Sequence, residues 1–209
     1  IVANTAFSGG GLACLAGTPL LIENIFRLNG DPDDTIGGGV FLQNASSVLH
    51  GNTFEDNLAS FGGGVYAENS GLESIGNMFT GNTAADEGGA VGLFNGTGVA
   101  SGNTFDGNGA GFRGGAVTSL FFSDVSWSGN VFTGNVASEG GAVACYGSSL
   151  DDWSDDVFDG NTALSGAGGS TSSRPAARAS RAPISPPTGA GVAPYSPLST
   201  PAVSREMDL

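Results

Sequence analysis

Five aspartates crowd into the stretch "SLDDWSDDVFDG" at 149–160: Asp151, Asp152, Asp155, Asp156 and Asp159. Carboxylates at this density suit two kinds of chemistry. They can surround Ca²⁺, which takes about six to eight oxygen ligands, so Asp151, Asp152, Asp155 and Asp156 are candidate calcium ligands. They can also supply the acid and base of glycoside hydrolysis, which needs a carboxyl pair at a set separation. Their spacing matches neither an EF-hand loop nor a glycine–aspartate nonapeptide, and a solvated acidic surface is the simpler reading. Polysaccharide cleavage by elimination wants a strong base instead, and the chain is poor in bases. It has no lysine, and only two of its six arginines, Arg27 and Arg113, precede residue 166. Its one histidine, His50 in "LHGN", stands apart from any second catalytic motif. Trp127 and Trp153 could grip sugar rings by stacking, although ordinary packing explains them more simply.

Positioning such groups is the task of a scaffold that the sequence spells out by repetition. The motif Phe-x-x-Asn recurs at Phe26–Asn29, Phe54–Asn57, Phe79–Asn82, Phe105–Asn108, Phe132–Asn135 and Phe158–Asn161, with steps of 28, 25, 26, 27 and 26 residues. Ile1–Asn4 fits one step earlier, with Ile in the Phe place. A second anchor, the residue after each glycine cluster, is Leu12, Val40, Val65, Val91, Val117 and Val143, with steps of 28, 25, 26, 26 and 26. Two unrelated landmarks share one period. The chain is therefore a repeat protein.

Glycine pairs, asparagines and short β-prone pieces exclude helical repeats, in which each interior glycine costs roughly 1 kcal/mol. Three short strands per coil of about 26 residues, stacked coil on coil, make a right-handed parallel β-helix. About six coils over residues 1–165, spaced ~4.8 Å apart, would extend roughly 29 Å. Equivalent residues then lie above one another. Phe26, Phe54, Phe79, Phe105, Phe132 and Phe158 should form a core column of stacked rings. Asn24, Asn52, Asn77, Asn103 and Asn130, with Asp156 in the last place, should form one amide ladder. Asn29, Asn57, Asn82, Asn108, Asn135 and Asn161 should form another. The glycine pairs permit the bend into the next strand. Glu87, Arg113 and Glu139, each just before a pair, should form an exposed charge stack worth about 1 kcal/mol or less per ion pair.

Composition bounds the function. Twenty acidic residues against six arginines give a net charge of −14. That balance excludes nucleic acid as a partner and suits cations or basic surfaces. No apolar run reaches the ~18 residues of a membrane-spanning helix. Cys14 and Cys145 occupy the same apolar place five coils apart, about 24 Å, too far for a disulfide, and are expected as buried thiols. Residues 166–209 hold seven of the nine prolines and four of the six arginines, and break the repeat. They read as a disordered Pro/Ser/Ala/Arg-rich tail. Asn44-Ala-Ser and Asn95-Gly-Thr are glycosylation acceptor patterns in an exposed turn.

The pairing of Gly-Gly-Ala-Val with Phe-x-x-Asn once per coil resembles the polymorphic outer-membrane-protein repeat of chlamydial surface proteins, written GGA[ILV] and FxxN. Gly88–Val91, Gly114–Val117 and Gly140–Val143 carry the first motif, and Gly37–Val40 and Gly62–Val65 carry relaxed forms. The resemblance covers residues 1–165. It implies a right-handed parallel β-helix shown at a cell surface, in a family of adhesins and autotransporter passengers. The expected function is a non-catalytic extracellular or cell-surface module, a piece of a longer array, that binds a cell-surface protein or a polysaccharide. Residues that break the repeat, Phe121, Phe122, Trp127 and Trp153, are the candidate ligand contacts. Calcium is the only cofactor suggested. The alternatives are a carbohydrate-active enzyme of the pectin-lyase-like fold, lyase or hydrolase, and a purely structural spacer.

Overall fold

A computed structural model describes residues 1–33, 35–147 and 150–165. The sequence 166–209, read above as a tail, lies outside the described residues. Every regular element described is a β-strand, and every strand pairing is parallel. The strands form three sheets of eleven, six and five strands, stacked as a solenoid of about six coils.

Each anchor residue opens a strand of the largest sheet. Leu12–Gly17, Val40–His50, Val65–Glu68, Val91–Phe94, Val117–Leu120 and Val143–Tyr146 stand in register, with Val40, Val65, Val91, Val117 and Val143 directly aligned. The same sheet continues past a corner into Gly71–Ile75, Thr97–Ser101, Asp124–Ser128 and Asp152–Ser154. That corner is a left-handed residue: Asn44, Asn69 and Asn95 have φ of 53°, 48° and 51°. Asparagine adopts this conformation more readily than other side chains, through its short polar amide. The two glycosylation acceptor asparagines are thus corner residues, and both are exposed.

The Phe-x-x-Asn motifs build the six-stranded sheet, from Ile25–Arg27 to Val157–Asp159. The three strands expected per coil are all present, and a fourth accompanies them. It follows the motif asparagine, as in Leu58–Phe61, Thr83–Glu87 and Gly109–Ala110, and forms the five-stranded sheet. These segments hold their extended shape because the backbone N–H of Leu58, Thr83, Gly109 and Val136 donates to the carbonyl of Asn29, Asn57, Asn82 and Asn108 in the preceding coil.

The core is a set of columns. Rings of Phe26, Phe54, Phe79, Phe105, Phe132 and Phe158 stack with centroids 5.0, 4.7, 4.9, 4.6 and 4.7 Å apart and planes within 6° of parallel. Burying each such side chain contributes about 1.5–3 kcal/mol. Beside it runs Leu21, Leu49, Ser74, Ala100, Trp127 and Trp153, in direct register. Small residues in the middle coils and indoles in the last two fill the same space differently.

Both asparagine ladders form, with donor–acceptor distances of 2.8–3.1 Å. In each, the backbone N–H and the Nδ2 of one residue donate to Oδ1 of its counterpart in the next coil, as Asn77 does to Asn103 and Asn82 does to Asn108. The same Nδ2 also donates backwards to a main-chain carbonyl, Leu49 for Asn77 and Phe54 for Asn82. A buried amide is thereby satisfied without water.

The glycine pair has two separate duties. Gly88 sits at φ 68°, a left-handed bend that favours glycine. Gly89 does not, but a Cβ there would lie 2.2 Å from the carbonyl oxygen of Gly115 in the next coil. The second glycine lets coils close to strand spacing at the corner.

Candidate functional site

The residues singled out from the sequence scatter over the solenoid. Trp127 is 2% exposed and stacks on Trp153 at 4.8 Å with planes 2° apart, tilted against Phe132. It belongs to the core, where no ligand on the outer surface reaches it. Trp153 is half-buried against the same core. Phe121 and Phe122 do face outwards, at 43% and 68% exposure. Both have left-handed backbones, φ 42° and 54°, in a region where bulky side chains are strained. Phe121 takes the corner place of Asn44, Asn69 and Asn95, and its ring leans on Phe94 at 5.1 Å.

The aspartates of the last coil hold separate posts. Asp151 Oδ1 accepts from the Val125 N–H, and its Oδ2 lies 3.6 Å from the Cys145 sulfur. Asp156 Oδ1 closes the asparagine ladder by accepting from the N–H and Nδ2 of Asn130. Asp152 and Asp155 are exposed. Among the described residues, no group of three or more His, Cys, Asp or Glu side chains is gathered to hold a metal ion. His50 is exposed at a strand end, in register with Ile22 and Ile75. Neither cysteine forms a disulfide. The buried environment expected for them is not met: Cys14 is half-buried, Cys145 is exposed, and the coils that bury Leu42, Ala67 and Leu93 in the same column cover the end places from one side.

The expected Glu87–Arg113–Glu139 stack forms, with Glu139 exposed and Glu87 largely covered, and it continues an uncharged column. Ser8, Ile36, Phe61, Glu87, Arg113 and Glu139 follow one another by isolated bridges. Arg113 reaches Glu87 and Glu139 at 3.1 Å each, with the Glu87 side chain only 12% exposed. Its guanidinium also lies over the rings of Phe112 and Tyr146. The Glu139 hydrogen bond, more than any other influence, raises the Arg113 pKa above its ordinary value.

Beside the apolar half of this column lies a cleft of about 610 Å³ on the outer face of the largest sheet. Its lining includes Leu15, Phe41, Gln43, Tyr66, Glu68 and Phe94. The strand geometry places them. Side chains two residues apart share a face, so the first and third residues after each anchor point outward. Phe41 stacks on Tyr66 at 6.2 Å with planes 5° apart, and Phe61 tilts against Tyr66 from the corner. Gly92 makes room: a Cβ there would lie 2.8 Å from the Tyr66 ring. Gln43 Nε2 donates to Glu68 Oε2 at 2.9 Å. Burial, then the fields of Glu68 and Glu87, push the Tyr66 hydroxyl up to about 12.

Chemically, this is a surface of π faces edged by a polar pair. Such an arrangement offers stacking faces to flat or apolar-faced groups and hydrogen-bonding atoms to polar ones. A signal for it did exist in the sequence: the place after each anchor reads Ala13, Phe41, Tyr66, Gly92, Thr118 and Ala144, aromatic in two successive coils.

No family model matches the chain, and no curated protein or solved structure matches it. Among the described residues no helix is long and apolar enough to cross a membrane.

Proposed function

We propose that this solenoid is a non-catalytic extracellular or cell-surface module that binds a glycan of another surface through the aromatic cleft. One observation carries the reading: Tyr66, backed by the buried Phe41, and Phe94 flank the hydrogen-bonded Gln43–Glu68 pair in an open cleft. Sugar rings present apolar C–H faces and hydroxyl rims, which suit aromatic platforms and a carboxylate–amide pair respectively. The rigid ladder beneath keeps the platform in place without ordering cost on binding.

The resemblance to the chlamydial surface repeat supports a cell-surface setting and an adhesive role, and the cleft fits a polysaccharide better than a protein partner.

The test is a glycan-array screen of the full chain, followed by calorimetry on the best ligand. Tyr66→Ala should weaken binding about tenfold or more, roughly 1.4 kcal/mol, with the solenoid still folded by circular dichroism. Unchanged affinity in that variant would rule out the cleft. Cleavage of any bound polysaccharide would favour the carbohydrate-active enzyme instead.

A further inference from the structure

We infer that the cleft selects amino sugars: it takes a glycan through a protonated amino group, so its ligands are glucosamine-type oligosaccharides rather than neutral or uronate polymers. This deepens the glycan reading and rests on it.

The first ground is the sign of the charge. Glu68 lines the cleft, and no arginine does. The two arginines among the described residues are committed elsewhere: Arg113 is held between Glu87 and Glu139, and Arg27 lies on the six-stranded sheet beside Glu55. Burial is the main cause of the upward push on Tyr66, and Glu68, then Glu87, add to it with their negative charge. An incoming ammonium supplies the missing cation. A uronate meets Glu68 and a chain carrying −14.

The second ground is the hydrogen-bond inventory. A carboxylate only accepts, so the bond to Glu68 fixes the Gln43 amide with Nε2 towards it. Glu68 Oε1 and Gln43 Oε1 remain as acceptors. An ammonium carries three donors and no acceptor, and matches this set.

The third ground is the rings. Tyr66 and Phe94, both partly exposed, present π faces whose negative quadrupole attracts a cation within about 6 Å, and the buried Phe41 backs Tyr66 from behind. An N-acetyl group offers these faces no charge.

The experiment is calorimetry of the full chain against three oligosaccharides of equal length: fully deacetylated glucosamine, its N-acetylated counterpart, and galacturonate. The deacetylated ligand should bind at least tenfold tighter than the acetylated one, with no detectable galacturonate binding. Glu68→Gln should collapse the preference. Glu73→Gln, the same charge change on the neighbouring part of the sheet, should preserve it. Equal or tighter binding of the acetylated or galacturonate ligand would overturn the inference and leave the glycan reading standing. So would a preference lost equally in Glu73→Gln, which would mark attraction to bulk charge. A chain that binds no glycan on the array would remove both.

Discussion

At the scale of single residues, one atom is out of place. From Asn52 to Asn130 in the first ladder, Nδ2 donates to the carbonyl three residues before the preceding ladder residue: Leu21, Leu49, Ser74 and Ala100 accept in turn. Asp156 breaks the rule. Its Oδ2 stands in the Nδ2 position, buried and without a hydrogen-bond partner, and the equivalent carbonyl, that of Trp127, accepts from the Ser154 hydroxyl at 3.4 Å in place of a ladder amide. Asp156→Asn restores the donor and should raise stability by about 1 kcal/mol, read as a higher midpoint in denaturant. Tyr66 gives a second handle. Its hydroxyl ionises near 10 in an unfolded chain and about 12 in the fold. Between those values the unfolded state has already lost the proton that the native state keeps, so stability is full below pH 10 and declines as pH rises towards 12. Absorbance titration should show one tyrosine ionising late, and Tyr66→Phe should remove that phase and flatten the decline.

At the scale of elements, the asparagines matter more than their polarity suggests. Asn82 Oδ1 accepts from two donors of Asn57, and its Nδ2 serves Phe54 and Asn108. Asn82→Ala strands the Asn57 donors and the Phe54 carbonyl in a dry interior, at about 1–3 kcal/mol per orphaned group. Chemical denaturation should register a loss of about 3 kcal/mol or more. These inward columns were legible in the sequence because stacking forces the same residue type to recur at one place. Outward places carry no such demand. Ala13, Phe41, Tyr66, Gly92, Thr118 and Ala144 share a column, so the sequence shows the cleft only as two aromatics at one repeat place, and stacking supplies the rest. The fourth strand was hidden for a different reason: Gly109–Ala110 and Val136–Ala137 are two residues long, and hydrogen bonds from the neighbouring coil, not local β propensity, extend them. The Trp pair takes the packing role that was the simpler reading, Trp127 lying buried in the column of Ser74 and Ala100 and Trp153 packing against the same core.

At the scale of the whole molecule, each coil touches mainly the coils above and below it, so stability is close to a sum of coil and interface terms. End coils have one interface and central coils two. Amide hydrogen exchange should therefore be slowest for the shared strands around Val65, Val91 and Val117, and should quicken towards Leu12 and Val143. Equal protection along the axis would mean that the stack opens as a single unit.

The ladders also have a direction. Along each ladder, Oδ1 receives from the asparagine of the coil before, while the backbone N–H and Nδ2 give to Oδ1 of the coil after. A duplicated segment of about 26 residues would thus arrive with both of its faces already complementary to its neighbours. Length can change by whole turns through copying or deletion in the gene, with no new interface to invent, while the variable outward columns drift freely. The same bond pattern that holds the fold together makes it easy to lengthen and easy to re-surface.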